Sequence, residues 1–228
     1  MSAPKPANDI AASALHGQSR GRRASPEVRR ADILDAALAE FAAHGFEGAR
    51  MEDVARAARV SKGTVYLYYP TKQALFEALV RRDIAPRVEL ASLFLKGYDG
   101  PLAPALERIV GIAAAAIQAG KLPIYPKLLI AEAGRFPDLA AFYRREVIGR
   151  MLEAMTTLFD RALQRGEISG VTAETAAHLF IAPVLKSVLW SLVFAAVEET
   201  PFPPEPYLKA HVQIFLKGLG HNGEQSHA

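Results

Sequence analysis

The chain has 228 residues, of which 50% are hydrophobic and 22% charged, and its formal net charge is +3 at pH 7. This composition is typical of a globular protein with one or two domains rather than of a disordered chain. The sequence contains no cysteine, which excludes disulfides, thiolate metal sites and cysteine nucleophiles. Alanine is abundant and apolar residues recur mostly at helical spacing, so we predict an all-α fold of about nine helices.

The N-terminal segment, residues 1–24, is rich in Ala, Ser, Pro and Gly and has no apolar periodicity, so it is predicted to be a flexible tail. Between Arg20 and Arg30 five arginines stand against a single acid, Glu27. Such a basic segment can be a solvated tail or an arm that contacts DNA, and the sequence leaves both readings open. The segment has no apolar core of a secretory signal, so we expect a cytoplasmic protein.

Three helices are predicted next. The first begins at Ser25-Pro26, where a hydroxyl can cap the helix and proline suits the first helical position, and it ends at His44-Gly45. Two short helices follow, from about Met51 to Ala58 and from Lys62 to Tyr68, joined by a small-residue turn. The outer face of the helix from Lys62 to Tyr68 is basic, polar and aromatic. A helix that enters the DNA major groove needs such a face.

Six further helices are predicted in the rest of the chain, near residues 72–95, 102–120, 127–133, 137–165, 173–197 and 207–216. Pro86 is expected to kink the first of them. We therefore divide the chain into a flexible basic tail (1–24), a helix-turn-helix DNA-binding domain (25–71), a ligand-binding and dimerisation domain (72–220) and a second flexible tail (221–228).

The stretch from 36 to 80, AALAEFAAHGFEGARMEDVARAARVSKGTVYLYYPTKQALFEALV, carries a recognisable motif. Its Phe-x-x-x-Gly-Phe, Val-Ser-x-Gly-Thr-Val-Tyr and Lys-x-x-Leu elements resemble the DNA-binding domain of the TetR family of bacterial repressors. A second segment, IAEAGRFPDLAAFYRRE at 130–146, resembles the ligand-binding domain of one TetR subgroup. The resemblance implies a homodimer that binds a pseudopalindromic operator on double-stranded DNA, acts as a repressor, and is released by a small-molecule effector.

Resemblance and side-chain chemistry together indicate which residues contact DNA. The Ser61 hydroxyl can cap the third helix or donate to a phosphate, and Lys62 can reach a guanine edge or a phosphate. Arg50 stands where the family often has threonine or serine; it could reach a phosphate but is a poorer helix cap. The predicted DNA-binding residues are Arg50, Ser61, Lys62, Gly63, Thr64, Tyr66, Tyr68 and Lys72.

The segment from Leu179 to Val197 is a long apolar stretch in which Lys186 is the one charged residue. Its length suits a membrane-spanning helix, but Pro183, Ser187 and two neighbouring segments without membrane character favour a subunit interface. We therefore expect this helix and the one after it to form the homodimer contact, with no membrane association.

A small-molecule pocket is expected in the body, since members of the family are usually released from DNA by a ligand. Large or adaptable side chains on three of the predicted helices are candidates to line it, although residues of this kind at helical spacing belong to the core more often than to a pocket. The candidates are Tyr125, Phe142, Met151, Met155, Phe159, Trp190 and Phe194.

An enzyme is the competing class of protein, and the sequence does not favour it. Six histidines show no metal-ligand spacing, and no nucleophile or phosphate-loop motif occurs. The GLGHNG run at 218–223 matches a dinucleotide fingerprint by letters, but no strand precedes it and no helix can follow it. We predict no enzymatic activity, no cofactor and no metal. A helical protein-interaction module without specific DNA binding is the alternative.

Overall fold

The computed structural model describes residues 25–119, 124–194, 197–200 and 202–220. Within these ranges the chain forms eleven α-helices and one π-helical turn, without any strand. The all-α prediction is thereby confirmed. The predicted tails, 1–24 and 221–228, lie outside the described residues, and with them the three arginines at 20, 22 and 23.

The helices are numbered in chain order, and their bounds are as follows: α1 Pro26–Gly48, α2 Met51–Ala57, α3 Lys62–Tyr68, α4 Lys72–Asp83, α5 Ala85–Gly97, α6 Leu102–Gln118, α7 Ile124–Glu132, α8 Pro137–Tyr143, the π-helical turn Arg144–Gly149, α9 Arg150–Gln164, α10 Ala173–Val193 and α11 Pro204–Gly218.

The helices α1, α3 and α4 begin after hydroxyl residues that cap them, at the positions that the sequence predicts. The side chains of Ser25, Ser61 and Thr71 accept hydrogen bonds from the backbone N–H groups three residues later, at 3.3, 3.1 and 3.0 Å. The chain turns sharply at Gly45, whose φ of 71° lies in the left-handed region that favours glycine. The regular part of α1 therefore ends where the sequence predicts.

The structure differs from the sequence prediction in the bounds of the body helices. The helix expected to bend at Pro86 is instead divided at Ile84, and Pro86 occupies the first turn of α5, where its missing N–H breaks no helical bond. The predicted helix over 137–165 contains the π-helical turn. The helix expected to reach Val197 ends at Val193.

Two clusters of buried side chains hold the molecule together. The first joins α1–α4 to α7 and α8, and it contains Phe41, Phe76 and Tyr125. The second joins α6, α9, α10 and α11 around Phe159 and Phe180. The three N-terminal helices thus share their core with the body. The domain boundary at 71/72 stays a prediction, because the packing is continuous across it.

Candidate nucleic-acid interface

The turn between α2 and α3 sets the angle at which the two helices meet. The backbone N–H of Val60 returns to the carbonyl of Ala55 at 3.0 Å. Arg59, at the corner of the turn, has a φ of 55°, the left-handed conformation that side chains with a Cβ adopt only at a cost of about 1–2 kcal/mol. This strained corner lets α3 leave α2 at an angle instead of continuing it.

Helix α3 is fixed to the core mainly by one fully buried side chain and presents its other side to solvent. Val65 is completely buried, whereas Leu67 is 81% exposed and Tyr66 is 40% exposed. Lys62 and Gly63 are exposed as well. A short helix anchored in this way leaves a basic and aromatic face free for a ligand with the dimensions of a major groove.

Lys62 is paired with an acid on the preceding helix. Its ammonium lies 2.5 Å from the Glu52 carboxylate and 5.6 Å from the centre of the Tyr66 ring. The hydrogen bond with Glu52 raises the pKa of Lys62 and, in the other direction, lowers the pKa of Glu52. Both side chains are largely exposed, so the pair is weak and exchangeable, and the lysine can turn toward a phosphate or base at little cost.

The two hydroxyls at the start of α3 are hydrogen-bonded to each other. The Ser61 and Thr64 oxygens are 2.8 Å apart, and the Ser61 oxygen also accepts the Thr64 N–H. Ser61 therefore caps α3, while its exposed position leaves it able to contact a phosphate as well. Arg50 is exposed at the N-cap position of α2 and makes no capping hydrogen bond.

The two tyrosines that end α3 lie between surface and core. Tyr68 and Tyr69 are both half-buried and pack against the first cluster. The guanidinium of Arg30 lies 5.3 Å from the centre of the Tyr68 ring, which places a cation from α1 beside the third helix. Tyr68 thus combines a packing role with the predicted position near DNA.

Lys72 has a structural role that the sequence does not reveal. Its ammonium donates to the carbonyls of Phe46 and Glu47, both at 2.7 Å, and so binds the end of α1. Burial lowers the pKa of Lys72, while Glu132 and Glu47 act against this effect. Two of its three donor hydrogens are used inside the protein, and contact with a phosphate stays a prediction.

Around this lysine the end of α1 meets the corner between α7 and α8, a contact that we call the head–body junction. Buried Glu132 accepts the backbone N–H of Glu47 at 3.1 Å, and Arg135 forms an ion pair with the Glu47 side chain. The rings of Phe46 and Phe136 stack edge to face with centroids 4.9 Å apart. The junction therefore combines a buried carboxylate, an ion pair and an aromatic contact between the N-terminal helices α1–α3 and the rest of the chain, the body.

The seven predicted pocket residues occupy three different places. Tyr125 and Phe142 belong to the first core cluster, and burial together with a hydrogen bond to Asp83 raises the pKa of Tyr125. Met155 and Phe159 are buried in the second cluster, and Met151 touches both clusters. Trp190 and Phe194 lie near the end of α10, where Trp190 lines a cavity of about 250 Å³.

Helix α10 carries an exposed apolar surface, in contrast to the basic and aromatic face of α3. Leu179, Leu185, Leu189 and Val193 are between 42% and 60% exposed along one side of it. Length and hydropathy alone would allow α10 to cross a bilayer, and it is the one helix of the described residues with that property. Exposed leucines at helical spacing on a globular protein also mark a surface for another helix.

These features define a class of protein: a helix-turn-helix unit with a basic, aromatic third helix, set on a helical body with an apolar outer face. Two family models match the chain, "Bacterial regulatory proteins, tetR family" at residues 33–79 and "AefR-like transcriptional repressor, C-terminal domain" at residues 105–218. The chain belongs to the TetR family of bacterial transcriptional regulators.

Individual relatives are similar over different lengths. The repressor SCO4008 of Streptomyces coelicolor is 44% identical over 59 residues, which are 26% of this chain and 31% of that protein. The repressor KstR of Rhodococcus jostii is 28% identical over 186 residues, covering 82% of this chain and 80% of KstR. The structure of Salmonella enterica GusR superimposes with a TM-score of 0.66 at 25% identity, covering 86% and 97% of the two chains.

Proposed function

We propose that this protein is a dimeric, ligand-responsive repressor that places α3 of each subunit in one of two successive major grooves of a pseudopalindromic operator. The observation that carries the proposal is the exposed face of α3, on which Lys62, Gly63 and Tyr66 stand outside the core. The match of the chain to a transcriptional-repressor family model supports it.

A second subunit is needed because one short helix contacts too few base pairs for useful selectivity in a genome. The exposed leucines of α10 and the exposed Ile214 of α11 are suited to supply the contact. Apolar area of this kind is stabilised by packing against an identical surface related by two-fold symmetry. The same symmetry would set the distance between the two copies of α3.

The proposed route from ligand to DNA passes through the head–body junction as well as through α4. Effector binding in the body would move α7, and Glu132 and Arg135 would carry that displacement to Glu47 at the end of α1. Such a shift releases DNA only to the extent that the effector binds the displaced form more tightly.

The first experiment is selection of bound sequences from random duplex DNA, followed by footprinting. We expect a two-fold symmetric site with half-sites about one helical turn apart. Lys62→Ala should then weaken binding about tenfold or more and, if the lysine reads a guanine, relax the preference at one position in each half-site. If the lysine contacts only a phosphate, the loss should be uniform across sequences and the salt dependence shallower.

A matched control is Lys96→Ala, which removes a lysine that is likewise exposed and paired with a glutamate, Glu153, but lies in the body. It should leave DNA binding unchanged. Equal binding to every duplex by the wild-type protein, or loss of binding in the Lys96 variant to the same degree, would instead favour the interaction module without specific DNA recognition.

A further inference from the structure

The end of α10 holds a cation between aromatic rings. The Lys186 ammonium lies 4.3, 3.7 and 4.6 Å from the ring centres of Trp190, Phe202 and Tyr207. We call these three rings the aromatic cage. Aromatic faces arranged in this way attract cations, and proteins use such cages to bind organic ammonium ligands.

A carboxylate with an unused oxygen lies beside the cage. One oxygen of Glu198 accepts the indole N–H of Trp190 at 2.7 Å, while its second oxygen is buried and has no hydrogen-bond partner among the residues that the structure describes. No ion pair joins Glu198 to Lys186 in the described part of the chain. A buried anionic oxygen without a donor is costly, so this one is poised to accept a donor from a ligand.

The two features border the same cavity. Trp190, Glu198 and Phe202 line a space of about 250 Å³, together with Ile117 and Gln118 from the end of α6. Its volume lies slightly below the range of drug-sized pockets, which restricts it to a small molecule. Its walls supply aromatic faces and one unpaired carboxylate oxygen, and both favour a positively charged ligand over an anionic one.

We propose that this cavity is the binding site for a small organic ammonium ion carrying at least one N–H group. The N–H donates to the free oxygen of Glu198, and the positive charge faces Trp190 and Phe202. That binding releases DNA is an additional step, which rests on the repressor function proposed above.

Lys186 acts in this proposal as an internal competitor. Its ammonium occupies the aromatic faces that the ligand charge requires, so the lysine must swing away before the cage is free. Because the lysine must be displaced, the observed affinity for the ligand is lower than the affinity of the open cage. Replacing Lys186 by an uncharged side chain of similar length should therefore make the site bind more tightly.

The chain contains a single tryptophan, Trp190, so tryptophan fluorescence excited at wavelengths that tyrosine does not absorb reports on this site. The probe is N,N-dimethylbenzylammonium, a one-ring cation with one N–H; N,N-dimethylbenzamide is its neutral counterpart, and benzyltrimethylammonium is a cation without an N–H. We expect saturable change in fluorescence with the first, weaker binding of the quaternary ion, and no saturable binding of the neutral amide.

Three variants test the assignment. Glu198→Gln keeps the shape of the side chain but should weaken binding of the probe about tenfold, because a charged hydrogen bond becomes a neutral one. Glu199→Gln, at the exposed neighbouring position, should bind like the wild type. Lys186→Met should bind the probe several-fold more tightly, by about the factor that displacement of the lysine costs.

The proposal is overturned if the amide binds as well as the cation, or if Glu198→Gln binds the probe like the wild type. Should that variant fail to fold, as judged by its circular dichroism, Phe202→Leu decides: it removes one face of the cage and should weaken binding of the cation. Unchanged affinity in this variant would also contradict the site. Binding without release of a selected operator would leave the site standing and count against the ligand-responsive step.

Discussion

Two exposed faces of this molecule differ in almost every physical property. The outer side of α3 carries a lysine, a glycine and a tyrosine on a helix held by the buried Val65. The outer side of α10 carries leucines and a valine along a helix three times as long, with 21 residues against 7. The first face is complementary to the anionic, grooved surface of a DNA duplex. The second is complementary to another apolar helix.

A few side chains on each face indicate the partner that it can bind. The helix α3 is short and is anchored by few side chains, so its outer residues are free to reach bases and phosphates. The ion pair of Lys62 is exposed and weak, so this lysine can exchange Glu52 for a phosphate or base. On α10, exposed apolar side chains at helical spacing form a surface of the kind that marks an interaction site. Each face also depends on the other, because a dimer sets the distance between two copies of α3.

The largest effect is expected from a charge placed on the apolar face. Leu189→Glu puts a carboxylate among leucines that we expect to be buried between subunits, and should weaken dimerisation by about 2–4 kcal/mol, roughly 30- to 1,000-fold. Sedimentation equilibrium measures the change. Specific DNA binding should fall with it.

The matched control for that variant is Leu90→Glu on α5, at a leucine that is 71% exposed and far from α10 in the sequence. It should leave the oligomeric state unchanged. If both variants remain dimeric, the apolar side of α10 is not the subunit contact. The dimer that sets the distance between the two copies of α3 would then have to form through another surface.

A smaller effect is expected at the head–body junction, which connects the two faces. Glu132→Ala removes the buried acceptor of the Glu47 N–H, so the free energy of unfolding should fall by about 1–3 kcal/mol. Urea denaturation measures it. Asp138→Ala, at an exposed acid in the first turn of α8, serves as the control and should change stability much less; equal losses in the two variants would show that the junction adds nothing specific.

The smallest effect is expected at the ion pair between Glu52 and Lys62, beside the exposed face of α3. Glu52→Gln releases Lys62 and removes a negative charge near the expected DNA surface, so affinity for operator DNA should rise about two- to fivefold at low salt. Fluorescence anisotropy at two salt concentrations follows it. Asp99→Asn changes a carboxylate that is 94% exposed in the body and should have no effect on affinity. A decrease in affinity with Glu52→Gln would mean that the pair positions Lys62 for DNA.

Much of the head could be predicted from the sequence because its signals are local. Ser61, Thr71 and Gly45 mark helix ends through interactions with residues three or four positions away. In the structure these residues lie at the predicted helix ends. The TetR-like motif depends on the same short spacings. Local signals of this kind do not need the tertiary fold to be interpreted.

Contacts between distant residues could not be predicted in the same way. The sequence gives no sign that Lys72 binds carbonyls 25 and 26 residues earlier, or that Glu132 binds a backbone N–H 85 residues away. Among the pocket candidates, aromatic residues at helical spacing could not be divided between core and cavity. The partner of Trp190, Glu198, gave no signal in the sequence because its importance comes from the hydrogen bond that it accepts in the folded chain.

In the proposed complex, two rigidly paired subunits read two successive major grooves of one duplex. This arrangement can be tested by inserting base pairs between the half-sites of the selected operator and measuring the affinity. An insertion of about five base pairs, half of the roughly 10-bp helical repeat, turns one half-site to the opposite side of the duplex and should reduce binding to the level of a single half-site. Unchanged affinity for the altered operator would show that the two subunits do not read the half-sites as one rigid unit.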